Sequence, residues 1–200
     1  MSKLVLVRHG QSEWNKLNLF TGWKNPDLTN KGAQEAKKAG VLLRKRKIQF
    51  DIAFTSALIR AQNTLRIIQE EMDQLSLRVV KHEALNERDY GDLSGLNKDE
   101  ARQKWGDEKV YKWRRSFDIP PPGGESLKNT AERVLPYYYK IILPEIKKGS
   151  DVLIAAHGNS LRSLVMNIEE ISTKEIVKLE IGTGIPLIYE VDESGRANRE

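Results

Sequence analysis

The chain contains three histidines, two of them in matching contexts. His9 follows an apolar run as Arg8-His9-Gly10, and His157 follows another as Ala156-His157-Gly158. In an open parallel sheet, residues just past the carboxyl ends of strands face the ligand crevice, so this placement lets both imidazoles share one site. Each is followed by glycine, which allows a backbone N–H to approach an anion without a Cβ in the way. Small polar residues suited to opening a helix come next, Gln11-Ser12 and Asn159-Ser160. Arg8 adjoins the first histidine, and Arg60 follows Thr55-Ser56-Ala57 in what reads as the first turn of a helix. Arg162 lies five residues beyond the second histidine, a spacing that equally suits a surface helix position. Arginine presents a planar fork matched to phosphate oxygens and stays charged at every relevant pH.

Paired histidines can ligate a metal. Cationic neighbours repel a dication, however, and no third His or Cys stands nearby to complete the set. A phosphate dianion suits these surroundings better. A neutral imidazole can attack phosphorus to form a phosphohistidine, while the second imidazole and the arginines bind the equatorial oxygens. The leaving oxygen then needs a proton donor. Glu87, in Asn86-Glu-Arg-Asp-Tyr-Gly91, is the best-placed carboxylate, with Asp89 as the competing choice and a surface ion pair as the structural alternative.

Apolar runs bounded by turn residues predict strands at 3–7, 51–54, 77–80, 152–156 and 187–191. Helical periodicity fills the intervals. Ala33, Ala36, Ala39 and Leu43 step along one face after Thr29-Asn30, and Leu58, Leu65, Ile68 and Met72 do the same after Ser56. A longer pattern runs from Ser126 towards Ile146 across Pro136, and Ser172-Thr-Lys-Glu175 reads as a capping box that opens another helix. Strands alternating with helices predict an α/β fold with a mostly parallel central sheet and helices on both faces, one catalytic domain over residues 1–200. Pro120-Pro-Pro-Gly-Gly124 reads as a loop inside that domain.

The 33 Lys and Arg against 28 Asp and Glu leave a net charge of +5, which suggests an anionic partner. The one compact basic run, Arg44-Lys-Arg-Lys47, sits at a helix end, where cations favour the macrodipole, and reads as solvated rather than as a nucleic-acid patch. Without cysteine, disulfides, iron–sulfur clusters, thiolate zinc sites and cysteine nucleophiles are excluded. No apolar stretch reaches the roughly 18 residues of a membrane span, and the first run is too short for a signal-peptide core. These features predict a cytoplasmic protein with no membrane partner.

Six segments together resemble the cofactor-dependent phosphoglycerate mutases of the histidine phosphatase superfamily. They are Arg8-His-Gly-Gln-Ser-Glu-Trp-Asn15, Phe20-Thr-Gly-Trp23, Glu87-Arg-Asp-Tyr-Gly91, Gly95-Leu-Asn-Lys98, Trp113-Arg-Arg115 and Ala156-His-Gly-Asn-Ser-Leu-Arg162. Arg-His-Gly alone would imply only the superfamily, whereas Asn15, Thr21-Gly22, Lys98 and Arg114-Arg115 look specific to mutases. The resemblance implies a transiently phosphorylated His9, with Arg8, Arg60 and His157 around the transferring group and Glu87 as acid and base. It further implies a substrate-binding set of Gly10, Gln11, Ser12, Asn15, Thr21, Gly22, Tyr90, Lys98, Arg114, Arg115, Gly158 and Asn159. The implied substrates are small phosphorylated carboxylic acids, 3- and 2-phosphoglycerate of glycolysis and gluconeogenesis. The implied primer is 2,3-bisphosphoglycerate; no metal and no nucleic acid is implied, and the subunit number, a homodimer or higher homo-oligomer, is left open. Trp14, Phe20, Trp23 and Tyr90 are aromatics whose places suit either closing and drying the pocket or packing in the core.

The chain departs from this pattern in two places. Between Phe117 and Glu125 it has only Asp-Ile-Pro-Pro-Pro-Gly-Gly where longer family members carry an insertion, and it stops at Glu200 soon after the last strand. Both shorten the cover over the crevice, so weaker exclusion of water and a larger phosphatase side activity are expected. Gln11 stands where Glu is frequent, and Asp89 where many mutases have another residue. Two rival readings stand beside the mutase: a phosphatase of the same superfamily, which has no need of Asn15, Lys98 and Arg114-Arg115, and a non-catalytic binder of nucleic acid or a phosphorylated partner, which leaves the paired histidines unexplained.

Overall fold

Leu4, Val5, Leu6 and Val7 are all fully buried because the strand that carries them has a strand on either side and helices on both faces. The computed structural model describes residues 1–200. Its first half runs β1 (Ser2–Arg8), α1 (Glu13–Lys16), α2 (Asn30–Lys45), β2 (Ile52–Thr55), α3 (Ile59–Glu71) and β3 (Arg78–Lys81). The second half runs α4 (Lys98–Trp105), α5 (Asp107–Arg115), α6 (Leu127–Tyr137), α7 (Leu143–Lys147), β4 (Val152–Ala156), α8 (Gly158–Ile168), β5 (Pro186–Val191) and β6 (Ala197–Arg199).

The six strands form one sheet in the order β3-β2-β4-β1-β5-β6. The first four are parallel to one another, and β5 and β6 join antiparallel at one edge. Side chains alternate across this sheet. Leu4, Leu6, Phe54, Ile154 and Ala156 enter a core shared with α6 and α8, whereas Val5, Val7, Ala53, Leu153 and Ala155 pack with α2 and α3. A third, smaller core of Phe20, Leu93, Ala101, Val110 and Trp113 holds α4 and α5. No helix is long and apolar enough to cross a membrane.

The start signals act as read at Thr29, whose hydroxyl accepts from Gly32 N at 3.1 Å, and at Ser126, whose hydroxyl accepts from Asn129 N at 3.2 Å. Arg44 to Lys47 are exposed at the end of α2. Pro136 lies in the last turn of α6, and the wider π-turn Tyr138–Ile142 follows it before α7, as expected where a proline withholds an N–H.

Several boundaries and elements differ from the sequence reading. The strands read at 51–54 and 77–80 each lie one residue later, with limits set by the ladder that pairs Ile52 with Val152 and with Arg78. The box at Ser172 opens no helix: it leads only to a 3-10 turn at Ile176–Lys178, because Leu179 is already extended and the Ile176 carbonyl is taken by Arg162 from α8. β6 went unread because Ala197-Asn-Arg199 has no apolar alternation.

α2 comes unusually close to the segment after β1. A Cβ on Gly32 would lie 2.1 Å from Gln11 O, and one on Gly10 would lie 2.1 Å from Gly32 O. Gly32→Ala is therefore expected to push the first turn of α2 off the segment that carries His9. It should lower stability by roughly 1–3 kcal/mol, as overpacking commonly does, and an unchanged urea or thermal midpoint would contradict this packing.

Candidate active site

The cleft lies at the carboxyl ends of the parallel strands. Arg8 ends β1 and His9 follows it; His157, Gly158 and Asn159 carry β4 into α8; Arg60 opens α3; Lys98 opens α4; Arg114 and Arg115 close α5. His9 N donates to Ala156 O at 2.9 Å, which continues the β1–β4 ladder and fixes the two histidine segments side by side. The imidazoles are buried, with ring centroids 4.9 Å apart.

The tautomer of His9 follows from its contacts. Its Nδ1 lies 2.7 Å from Gly10 O, which only accepts, so Nδ1 carries the proton. Nε2 is left with its lone pair, facing Arg60 Nε at 3.4 Å. Burial, then Arg60 and Arg8, hold His9 well below the usual imidazole range, so the ring is neutral at physiological pH. His157 is lowered in the same way by burial, Arg60 and His9. Its Nε2 lies 2.7 Å from Ser56 Oγ, and its Nδ1 has no partner.

Glu87 is oriented by donors on one oxygen. Its Oε1 accepts from Arg88 N at 2.8 Å, Asn159 N at 3.0 Å and Asn159 Nδ2 at 2.9 Å, which leaves Oε2 free. The Asn159 amide is itself fixed, because its Oδ1 accepts from Arg88 Nη2 at 3.0 Å and from Arg162 Nη1 at 3.2 Å. Asp89, the competing carboxylate, turns back to accept from Gly91 N and does not line the cleft.

The cleft has a volume of about 140 Å³, well below the roughly 300–1,000 Å³ of pockets for drug-sized ligands. Arg8, His9, Asn15, Thr21, Gly22, Arg60, Glu87, Tyr90, Lys98, Arg114, Arg115, Gly158 and Asn159 all line it, so most of the residues singled out in the sequence converge. His157 lies behind His9 and is fully buried. Gly10, Gln11 and Ser12 do not line the cleft. Gly10 N donates to Thr64 Oγ1 at 3.1 Å, so its missing Cβ makes room for α2 instead of an anion. Gln11 Oε1 accepts from Thr29 Oγ1, and Ser12 is buried as the cap of α1. Gly22, with φ +54°, takes a conformation open to glycine, and its carbonyl accepts from Arg60 Nη2 at 2.9 Å.

Among the aromatics, Phe20 and Tyr90 line the cleft with their rings 5.1 Å apart. Trp23 is 40% exposed and donates its Nε1–H to Glu87 O, while Trp14 packs at Gly95; neither lines the cleft. The short segment after Phe117 adds no lining residue and is tied instead to the loop after Glu87, through Asp92 N to Pro122 O and Glu125 N to Asp89 O.

Sequence reasoning missed several participants. Arg162 is not a surface residue: it is 5% exposed, lines the cleft and donates to Ile176 O. Arg88 is fully buried and joins Asn159 to Trp113 O at the end of α5. Adjacency to Glu87 for Arg88, the five-residue spacing from His157 for Arg162, and a place inside two of the family-like segments were the sequence signals that pointed to them. Glu180 also lines the cleft, paired with Arg115.

Six cations, Arg8, Arg60, Lys98, Arg114, Arg115 and Arg162, thus face two carboxylates, Glu87 and Glu180. Burial lowers Arg60 and Arg162 to about 10, which leaves both charged at neutral pH. Burial, then Arg114 and Arg8, bring Lys98 down to about 8. Such a lining suits a small anion carrying more than one charged group.

Comparison with known proteins agrees with this geometry. Residues 4–199 match the model of the histidine phosphatase superfamily (branch 1). A 2,3-bisphosphoglycerate-dependent phosphoglycerate mutase of Parvibaculum lavamentivorans is 62% identical over 197 residues, which cover 98% of this chain and 94% of the relative. The chain belongs to this mutase family of the histidine phosphatase superfamily. Another member, the phosphoglycerate mutase of Schizosaccharomyces pombe, is 62% identical over 193 residues, covering 96% of this chain and 92% of its own. The mutase family shares its fold with more distant solved structures. A mycobacterial glucosyl-3-phosphoglycerate phosphatase complexed with VO3 superposes with TM-score 0.86 at 24% identity, covering 100% of this chain and 98% of that one. Bacillus stearothermophilus YhfR superposes with TM-score 0.85 at 26% identity, covering 100% and 95%.

Lys98 is cationic below about pH 8 and neutral above it. Sulfate keeps a constant charge across this range, so its affinity for the cleft, measured by calorimetry, should fall about tenfold between roughly pH 7 and 9.5, the worth of one charged hydrogen bond. Lys98→Arg should remove most of this dependence. A flat profile in the unsubstituted protein would place Lys98 outside the anion site.

Proposed function

We infer that the chain interconverts 3-phosphoglycerate and 2-phosphoglycerate by phosphoryl transfer through His9, with 2,3-bisphosphoglycerate as primer. One observation carries this reading: cations enter the same small cleft from two separate parts of the fold. Arg8 comes from the end of β1 and Arg60 from the first turn of α3, both beside His9, whereas Lys98, Arg114 and Arg115 come from α4 and α5. A simple monoester needs only the first group. A molecule with a carboxylate and a phosphate at either end needs both.

The residues present fit such a bisphosphate. Arg8 Nε and Thr21 Oγ1, on lining residues, and His157 Nδ1 behind His9 are buried polar atoms without protein partners, the kind of group that anionic oxygens satisfy. When bound, the bisphosphate supplies the phosphoryl group that charges His9. Arg8, Arg60 and His157 hold the three oxygens on which charge accumulates during transfer.

From the charged enzyme, Glu87 accepts the C2 hydroxyl proton of 3-phosphoglycerate as that oxygen attacks phosphorus and the P–N bond to His9 breaks. After the product turns in the cleft, His9 Nε2 attacks the other phosphorus. The P–O bond at C3 breaks, Glu87 returns its proton to the leaving oxygen, and 2-phosphoglycerate remains with a recharged His9. With its proton on Nδ1, the ring leaves as a neutral imidazole in the first half-reaction and offers the recovered Nε2 lone pair as nucleophile in the second. Asn15, Thr21, Gly22, Tyr90 and Asn159 contact the substrate's carboxylate, second phosphate or backbone and limit how it turns. Residues 1–200 act as one catalytic domain, in the cytoplasm where phosphorylated glycolytic intermediates are found.

The test is conversion of 3-phosphoglycerate to 2-phosphoglycerate by purified protein with chelator present, followed by direct product detection. Turnover should be stimulated by 2,3-bisphosphoglycerate and fall by at least about 10⁴-fold in His9→Ala, as loss of a nucleophile requires. Release of inorganic phosphate without isomerisation would make the chain a phosphatase with a mutase-like cleft.

A further inference from the structure

Glu87 is held by its main chain as well as its carboxylate. Its carbonyl accepts from Trp23 Nε1 at 2.7 Å and from Arg133 Nη2 at 2.8 Å. Arg133, on α6, directs the rest of its guanidinium at the same short segment: Nη1 donates to Ala84 O at 2.8 Å and to Asn86 O at 3.1 Å. Residues 83–87 have no sheet partner, and only a 3-10 turn at Glu83–Leu85 organises them. Without Arg133, Ala84 O and Asn86 O would lose these donors and Glu87 O would keep only Trp23.

Arg133 is itself clamped. Glu125 takes its Nε and Nη2 in a fork, both at 2.8 Å, and the Arg133 guanidinium stacks over the Trp23 ring at 5.4 Å. Glu125 also accepts from Asp89 N at 3.0 Å and from Thr130 Oγ1 at 3.2 Å, so it ties α6 to one side of Glu87 directly and, through Arg133, to Ala84 and Asn86 on the other. An ion pair serving only to decorate the surface would need one of these contacts. Here a planar guanidinium and an indole both bond the carbonyl of Glu87, and the carboxylate that holds the guanidinium also takes Asp89 N, two residues further on.

We propose that Arg133, clamped by Glu125 and Trp23, is a positioning residue for Glu87 that sets the place from which its Oε2 exchanges protons with substrate. Arg133 does not line the cleft; it reaches Glu87 through this segment, and its charge adds a last, smallest contribution to the lowering of His157. The proposal rests on the reading of Glu87 as the acid and base. Misplacing a reacting group by about 1 Å can cost on the order of 100-fold in rate, whereas binding by Arg8, Arg60 and Lys98 is untouched.

The experiment is a double-mutant cycle in the isomerisation assay, run well below each variant's thermal midpoint. Arg133→Met is expected to lower kcat by about 10- to 100-fold with KM within about twofold of the original. Glu87→Gln should lower kcat further, and adding Arg133→Met to it should cost less than about twofold more, since nothing remains to be positioned. Trp23→Phe keeps the ring but removes its donor. It should lower kcat severalfold with the same lack of further loss on Glu87→Gln, and it carries the test if Arg133→Met does not fold. A full second loss in the double variant would overturn the proposal, as would a lowered thermal midpoint with kcat unchanged. Wild-type turnover in Glu87→Gln alone would instead remove the acid and base reading on which the proposal stands.

Discussion

Buried positive charge without matching negative charge is the constraint around which this structure is arranged. Arg60 and Arg88 are at most 1% exposed, and Arg162 is 5% exposed, yet none of the three has a carboxylate partner. Their guanidinium groups go mainly to backbone carbonyls: Arg60 to Gly22 and Lys24, Arg88 to Trp113, and Arg162 to Ile176. Arg8 at the cleft follows the same rule with Ile181. A carbonyl satisfies an N–H without cancelling the charge, so the field stays available to an anion.

The same bonds hold the walls of the cleft. Every one of these arginines reaches from the element that bears it to a carbonyl on another, and the loops at the strand ends are thereby tied to one another. Arg60 ties the segment around Gly22 to α3, Arg88 ties the end of α5 to the Glu87 loop, and Arg162 ties the rim at Ile176 to α8. Cations and carboxylate are set before any substrate arrives, which is the condition for electrostatic stabilisation without reorganisation during the reaction. An anion that relieves the mutual repulsion of these groups should also stabilise the fold by mass action.

Asn159 relays this field to the carboxylate of Glu87. Asn159 receives two arginine donors on its oxygen and gives its amide hydrogens to Glu87, so the carboxylate is oriented by positive charge that never touches it directly. His9 is treated in the opposite manner: the arginines beside it and its burial keep the ring neutral, while one backbone carbonyl selects the reactive nitrogen. Two pairs of cations thus divide the work: Arg88 and Arg162 orient the amide that holds Glu87, and Arg60 and Arg8 help keep His9 neutral.

The sequence by itself determined the parallel strands, the two histidines at their ends, most of the cleft lining and the mutase resemblance. Those features are local: β-branched runs, glycine after histidine and basic pairs at helix ends are visible within a few residues. Only the tertiary structure decided that Gly10 makes room for α2, that Arg162 is buried, that Asp89 faces away, and that the box at Ser172 yields one 3-10 turn. Each of these depends on a partner distant in sequence, such as Gly32 for Gly10 or Ile176 for Arg162. Whether a charged side chain is solvated or buried against a distant carbonyl leaves no trace in its own neighbours, so Arg88 and Arg133 became legible only when the chain had closed around them.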